Sequence, residues 1–95
     1  MKVIVSATAE DDLSALRYWI SEDNPSRADP FLDELESKIA GLEHWPERFP
    51  VAFHCSDGPV HRLVHRGYRI LYCVKPDTVE ILHVHHGSRD SPRFD

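Results

Sequence analysis

The sequence predicts an α+β domain in which a helical hairpin covers one face of a largely antiparallel sheet. Three observations predict this class. A short run of β-branched residues opens the chain, two segments with apolar residues at helical spacing follow, and three strand-like runs separated by turn residues make up most of the second half. The expected element order is β-α-α-β-β-β, and residues 1–95 have the length of one domain.

The first strand and first helix are read from the N-terminal quarter. Residues 2–6 are rich in β-branched side chains and are predicted to form a buried strand. A helix is expected from Thr8, where Thr-Ala-Glu-Asp resembles a capping box and three acidic residues occupy the first turn. The helix is expected to end near Asp23, because the Asn-Pro pair at 24–25 disfavours helical angles. Its apolar stripe consists of Leu13, Leu16, Trp19 and Ile20.

The second helix has two possible starting points. If Asn24 capped it with Pro25 in the first position, Pro30 would lie inside the helix, where a lost hydrogen bond costs about 3 kcal/mol. We therefore expect a short turn over residues 25–28 and a regular helix over residues 29–44. The two helices would form an antiparallel hairpin. The apolar face of the second helix consists of Phe31, Leu35, Ile39 and Leu42.

The second half of the chain is predicted to be a three-stranded meander. Residues 45–58 lack helical periodicity and are interpreted as a connection with one short strand near residues 51–54. The meander strands are expected over residues 60–65, 68–74 and 78–85, joined by turns at 66–67 and 75–77. The order of the strands in the sheet is left open by these patterns.

Charge and composition exclude several classes of protein. The formal net charge is −5, and this argues against a protein that simply coats nucleic acid. Residues 1–50 carry a net charge of −6, whereas residues 51–95 carry +1 and hold six of the seven histidines. No apolar run approaches the roughly 18 residues of a membrane span, and the N-terminus lacks a signal-peptide core. A cytoplasmic protein without a membrane segment is expected.

Four stretches, taken in this order, resemble the RelE/ParE superfamily of type II toxins. They are Ala-Glu-Asp-Asp-Leu at 9–13, the Asn-Pro-x-x-Ala and Phe-Leu-x-x-Leu patterns within 24–35, Arg-Leu-Val-His-Arg-Gly-Tyr-Arg-Ile-Leu-Tyr at 62–72, and Val-x-Ile-Leu-x-Val-x-His-Gly-x-Arg-Asp at 79–90. The resemblance covers almost the whole chain. It implies a small toxin that a co-expressed antitoxin neutralises by wrapping around it.

Within the superfamily, the sequence is more similar to the ParE branch than to the RelE branch. The chain has three lysines, and none lies in residues 45–74, where the nuclease-type relatives tend to place RNA contacts. Its ending, His-His-Gly-Ser-Arg-Asp at 85–90, also resembles the ParE type. The ParE resemblance implies plasmid stabilization, a ParD-like antitoxin, DNA gyrase as target, a hetero-oligomer with the antitoxin, and neither cofactor nor direct sequence-specific nucleic-acid binding. The RelE alternative implies ribosome-dependent cleavage of mRNA.

Candidate site residues differ between the two readings. The ParE reading has no catalytic residue, whereas the nuclease reading assigns His85 or His86 as general acid or base, with Arg62, Arg66 and Arg89 on the phosphate. A metal site at His83 and His85 would need a third ligand that spacing does not supply, so none is predicted.

Candidate antitoxin contacts fall into a basic group and an apolar group. The basic group consists of Arg62, Arg66 and Arg69, and the apolar group of Leu13, Leu16 and Ile20. Alternatively, the arginines pair with the acidic hairpin through Glu34 or Glu36. Core packing is expected for Trp19, Tyr68 and Tyr72, exposure for Trp45, and burial for Cys73.

Overall fold

The computed structural model describes residues 1–23 and 25–86 and confirms the predicted α+β class. Two helices lie on one face of a five-stranded sheet. The elements are β1 (Lys2–Val5), α1 (Ala7–Asp23), α2 (Pro25–Ala40), β2 (Val51–Cys55), β3 (Gly58–His65), β4 (Tyr68–Val74) and β5 (Thr78–His86). Two single-turn 3₁₀ helices, Gly41–Glu43 and Pro46–Arg48, connect α2 to β2.

The sheet order is β1-β5-β4-β3-β2. From β2 to β5, each strand pairs antiparallel with the next strand along the chain. Strand β1 lies parallel to β5 at one edge of the sheet. The short strand expected near residues 51–54 is therefore present as β2, at the opposite edge. Pairing of β1 with β5 stops at the Val5–Ile81 pair, so the last five residues of β5 extend beyond β1.

The predicted start of α2 is wrong, and tertiary packing explains the difference. The helix begins at Pro25 and continues through Pro30, its sixth residue. A proline at this position removes one intrahelical bond near the N-terminal end of the helix. The next two residues, Phe31 and Leu32, are buried in the core, and their burial offsets that loss. The predicted end at 44 is also wrong, because α2 ends at Ala40 and a 3₁₀ turn follows.

The N-terminus of α1 differs from the expected capping box. Ser6, rather than Thr8, supplies the cap: its hydroxyl accepts a hydrogen bond from the Ala9 amide at 3.1 Å. The Ser6 amide also donates to the Ile81 carbonyl at 3.0 Å, so Ser6 extends the pairing of β1 with β5 by one bond and caps α1. Because the cap is two residues earlier, the helix begins at Ala7.

The hydrophobic core lies between the helices and the sheet. Its fully buried members include Leu35 on α2, Ile70 and Tyr72 on β4, and Ile81 on β5. Tyr68 and Tyr72 pack in this core as predicted, and Cys73 is buried. The expectation that Trp19 is a core residue is wrong.

Tyr72 connects the core to the irregular segment after α2. Its hydroxyl donates to the Pro46 carbonyl at 2.5 Å, although the ring is fully buried. The ring stacks on His61 at a centroid separation of 5.2 Å, and His61 Nδ1 lies 2.7 Å from the Phe49 carbonyl oxygen. These contacts fix the segment that carries the second 3₁₀ turn against β3 and β4.

Replacing Tyr72 with phenylalanine is expected to lower the free energy of unfolding by about 1–2 kcal/mol at neutral pH, because the buried Pro46 carbonyl loses its donor. Urea-induced unfolding followed by far-UV circular dichroism measures this change. Identical midpoints for the variant and the wild-type chain would contradict it.

The same substitution should also change how the free energy of unfolding depends on pH in alkaline solution. Burial raises the pKa of Tyr72 to about 12, from an ordinary value of 10.0. The folded state therefore holds this proton more tightly than the unfolded chain, and the resulting stability is present below pH 10 and lost between about pH 10 and 12. The stability difference between wild type and Tyr72→Phe should shrink over that interval.

Candidate partner-binding groove

A groove opens between α1 and the end of the sheet where β5 finishes. It consists of two adjoining cavities of about 400 and 520 Å³, and Trp19, Tyr68 and His86 line both. We call it the Trp19 groove. The remaining lining residues are Asp12, Ala15, Leu16, Tyr18, Val84 and His85 in the first cavity, and Ile20, Asp23, Phe31 and Arg66 in the second.

The groove forms where α1 runs along the part of β5 that β1 does not cover. Asp12 Oδ2 accepts a hydrogen bond from the Val84 amide at 3.0 Å and lies 3.3 Å from His83 Nδ1. The Ser6 hydroxyl donates to the Leu82 carbonyl at 3.3 Å. Because side chains of α1 and of its cap residue Ser6 bond these strand groups, the space beside β5 is bounded by the helix instead of another strand.

Aromatic rings make up most of the wall shared by the two cavities. The Tyr68 ring packs edge-on against His86, with ring centroids 4.8 Å apart. On its other contact, with Phe31, the two rings are tilted by 53° and their centroids are 5.1 Å apart. Trp19 lines both cavities and is 52% exposed. An exposed tryptophan beside buried rings is typical of a protein-binding surface.

The β3–β4 turn closes one end of the groove. Arg66 and Gly67 have φ angles of 50° and 84°, and these left-handed values confirm the predicted two-residue turn. A Cβ atom at Gly67 would lie 3.3 Å from His86 Nε2, so a side chain there would press on the imidazole in addition to straining the backbone.

Glu34 on α2 ties this turn to the helical hairpin. Its Oε1 accepts from Arg66 Nε at 2.9 Å and lies 3.0 Å from His65 Nε2. Desolvation acts to raise the pKa of Glu34, but the hydrogen bond with His65 and the charge and hydrogen bond of Arg66 outweigh it and lower the pKa. For Arg66, the alternative of pairing with the acidic hairpin is therefore confirmed, although the side chain remains more than half exposed.

The other two arginines of the basic group lie away from the groove. Arg62 pairs across the strands with Leu71, and Arg69 pairs with His85. Their chain neighbours Leu63 and Ile70 belong to the core, so both arginines lie on the sheet face without helices. Neither forms a salt bridge within residues 1–23 and 25–86.

The apolar group divides in the same way. Leu16 is buried and lines the first cavity, and the partly buried Ile20 lines the second. Leu13 is also partly buried, but it lines a separate cavity of about 460 Å³ between β1 and the two helices. Glu36 lines that cavity as well. The fold thus brings Leu16, Ile20 and Arg66 to one groove.

The part of the chain that the structure describes brings the residues of the nuclease reading together only in part. Both ring nitrogens of His85 are buried without a hydrogen-bond partner among residues 1–23 and 25–86, and burial, followed by the charges of Arg69 and His83, lowers the pKa of His85. His86 lines the groove, whereas Arg62 lies on β3, two strands from β5, on the opposite face. Arg89 lies outside the described residues. His86 does share the second cavity with Arg66.

The described residues contain neither a cluster of metal ligands nor a helix that could span a membrane. No three or more His, Cys, Asp and Glu side chains within 1–23 and 25–86 are arranged to hold a metal ion. No helix in those ranges has both the length and the apolarity to cross a membrane.

Comparison with known proteins identifies the family. Residues 3–91 match the model for the ParE toxin of the type II toxin–antitoxin system parDE. A search of curated proteins finds no match. Among solved structures, a chain of the chromosomal ParDE toxin–antitoxin system from P. aeruginosa superposes with a TM-score of 0.77 at 17% identity, over 90% of this chain and 95% of that one.

A second similar structure comes from the related RelBE systems. It is a chain of the toxin–antitoxin complex RelBE2 from Mycobacterium tuberculosis, with a TM-score of 0.66 and 25% identity over 90% of this chain and 95% of that one. Both structures have the fold found here, and the family match covers nearly every residue. The chain is a type II toxin and belongs to the ParE toxin family of the RelE/ParE superfamily.

Proposed function

We propose that this ParE-family toxin inhibits DNA gyrase by binding it, and that a ParD-like antitoxin neutralises the toxin. The match of residues 3–91 to the ParE family carries this proposal. The formal net charge of −5 supports it, because a protein that works on ribosome-bound RNA benefits from positive charge. The toxin acts in the cytoplasm, serves plasmid stabilization, and forms a hetero-oligomer with its antitoxin.

The Trp19 groove is the proposed docking site for an antitoxin segment. Trp19 supplies an exposed aromatic anchor, and Leu16 and Ile20 supply an apolar wall. Arg66 lies at one end with its side chain more than half exposed, where it can meet a carboxylate of the antitoxin as well as Glu34. Leu13, together with Arg62 and Arg69, would contact parts of an antitoxin that extend beyond the groove.

The proposed inhibition needs no bond-making group on the toxin. A general acid or base must reach the proton it transfers, and both nitrogens of His85 are buried among the described residues. Arg62 and His86 lie on opposite faces of the sheet, and this separation supports a toxin that works without catalytic groups.

A supercoiling assay tests the proposal. Purified toxin is added to DNA gyrase, relaxed plasmid and ATP, and the topoisomers are separated by electrophoresis. The expected result is loss of supercoiling or appearance of linear DNA, and restoration of supercoiling when antitoxin is added. Full supercoiling in the presence of a large molar excess of folded toxin would overturn gyrase as the target.

The second candidate function is ribosome-dependent cleavage of mRNA. The RelBE2 neighbour at 25% identity favours it, as does the presence of His86 and Arg66 in one cavity. Under this alternative, a translation extract with added toxin would show mRNA cut at the ribosomal A site. The double variant His85→Ala, His86→Ala would abolish the cut.

A further inference from the structure

Strand β1 leaves one edge of the sheet unpaired within the described part of the chain. There it pairs only with β5, and the Ser6 amide that follows it donates to the Ile81 carbonyl at 3.0 Å. Successive residues of a strand point their main-chain groups to opposite sides. Ile4 therefore shares the direction of Ser6 and bonds to β5, whereas Val3 and Val5 direct their amides and carbonyls away from the sheet.

An apolar cavity lies beside this free edge. It is the cavity of about 460 Å³ between β1 and the two helices, and we call it the β1 cavity. Its apolar lining consists of Val3, Val5, Leu13, Ile39 and Ala40. On the other face of β1, Ile4 is 40% exposed. A strand added at this edge would direct alternate side chains toward the cavity and over Ile4, so it would cover apolar surface on both faces.

The opposite edge of the sheet is built differently. Strand β2 has a register shift between Val51 and Phe53 where it pairs with β3. Bulges of this kind interrupt an edge and disfavour pairing with another chain. The register of β1 with β5, by contrast, advances one residue at a time over its whole length. The edge at β1 is therefore the better template for a further strand.

Two carboxylates give the β1 cavity a negative rim. Glu10 and Glu36 line it, and its lining includes no Lys, Arg or His side chain. Neither carboxylate forms a salt bridge within residues 1–23 and 25–86. Lys38 lies about 200° around α2 from Glu36, and Lys2 lies on the face of β1 that points away from the cavity.

Two further cations on neighbouring elements already have partners. Arg17 follows Glu10 by two turns of α1 and pairs with Asp29. The N-terminal amino group of Met1 donates to the Glu43 carbonyl at 3.1 Å. The two carboxylates of the β1 cavity are thus not balanced by a cation that lines it, and a Lys or Arg side chain is their complement.

The free edge of β1 and the Trp19 groove lie along the same side of the sheet. Pairing of β1 with β5 stops at the Val5–Ile81 pair, and the groove opens beside the later residues of β5, where His86 lines it. Helix α1 borders both sites, because Leu13 lines the β1 cavity and Leu16, about one turn later, lines the groove. An antitoxin chain that leaves the groove can follow this side to β1, and this continuity favours the antitoxin as the partner.

We infer that an extended segment of the antitoxin joins the sheet as a sixth strand beside β1, through main-chain hydrogen bonds to Val3 and Val5. Apolar side chains at alternate positions of the segment enter the β1 cavity, and a Lys or Arg side chain meets Glu10 and Glu36. The inference rests on the proposed function in taking the antitoxin as the partner. In such an arrangement the main-chain bonds supply affinity, and the pockets for alternate side chains supply specificity.

Amide hydrogen exchange followed by NMR tests the main-chain pairing in the wild-type chain. When purified antitoxin from the same operon is added, exchange at the Val3 and Val5 amides should slow at least about tenfold more than exchange at the amides of β2, the strand at the opposite edge. Exchange at Val3 and Val5 that stays unchanged in the complex would overturn the inference.

A pair of variants at Val3 separates the amide from the side chain. Val3→Pro and Val3→Ala both remove the valine side chain, but only proline removes the outward amide and places its ring where the added strand would lie. Because that amide is not bonded to β5, the fold should be retained. The Kd for the antitoxin should be at least about 10-fold higher for Val3→Pro than for Val3→Ala. Equal Kd values for the two folded variants would overturn the inference, and if Val3→Pro does not fold, the exchange measurement on the wild-type chain decides.

A charge variant tests the basic side chain of the segment. The double variant Glu10→Gln, Glu36→Gln should raise the Kd for the antitoxin at least about fivefold at low salt, because two charges that face the segment are removed. Glu47→Gln, a change of the same kind outside the β1 cavity, should raise it less than about twofold. Equal Kd values for the double variant and Glu47→Gln would overturn the contact with Glu10 and Glu36.

The remaining outcomes separate this inference from the proposed function. If the antitoxin protects Val3 and Val5 but the toxin leaves gyrase active, the inference holds and gyrase fails as the target. If gyrase is inhibited and the antitoxin binds without protecting these amides, the inference fails and the proposed function stands. Protection of the same amides in the toxin alone, together with a toxin dimer in sedimentation analysis, would assign the edge to a second copy of the chain and overturn the inference.

Discussion

Replacing Leu35 with alanine is expected to lower the free energy of unfolding by about 3 kcal/mol. Leu35 is 0% exposed on the inner face of α2, where it belongs to the core cluster between the helices and the sheet. Its truncation removes apolar contact and leaves a cavity that the surrounding side chains fill only in part. For a domain whose total stability is about 5–15 kcal/mol, the loss is a large fraction.

Equilibrium unfolding in urea measures this effect, with Val64→Ala as the control. Val64 lies on β3 and is 55% exposed, so its truncation should change the free energy of unfolding by less than about 0.5 kcal/mol. Equal losses for the two variants would show that α2 does not pack on the sheet through Leu35.

Replacing Trp19 with alanine is expected to weaken antitoxin binding at least about 30-fold, which corresponds to a loss of about 2 kcal/mol. The indole lies where the two cavities of the groove meet, beside Tyr68 and His86. Removing it takes away the largest exposed apolar surface of that wall. Because Trp19 is about half exposed, the folded state should tolerate the change.

Titration calorimetry with the purified antitoxin from the same operon measures this loss. Trp45→Ala is the control, because it removes the other largely exposed tryptophan and leaves the groove intact. Antitoxin binding that is unchanged in Trp19→Ala but weakened in Trp45→Ala would contradict docking of the antitoxin in the Trp19 groove.

Local sequence patterns predicted most of the fold. The turn at Arg66 and Gly67 and the strands on either side of it follow from β-branched spacing and a glycine that tolerates positive φ. The start of α2 could not be predicted from local patterns. Burial of Phe31 and Leu32 offsets the loss of the hydrogen bond that Pro30 removes, and this burial depends on tertiary packing. Strand order also required the structure, since the pairing of β1 with β5 joins the two ends of the chain.

The candidate site was less predictable than the fold. Spacing placed Trp19 on the apolar stripe of α1, but Leu16 and Ile20 face the sheet more directly and leave the indole at the rim. The adjacent Tyr18 is also exposed, and two consecutive aromatic residues on one helix are a signal that one of them faces solvent. The division of the three arginines between the two faces of the sheet depends on register, which spacing alone leaves open.

The central claim is that this toxin acts by docking rather than by chemistry. The most direct test adds the wild-type toxin and the His85→Ala, His86→Ala double variant to a gyrase supercoiling assay and, in parallel, to a translation extract. The account predicts that both proteins block supercoiling and that mRNA stays intact in both. Intact supercoiling together with mRNA cleavage that disappears in the double variant would contradict the account and identify a ribonuclease.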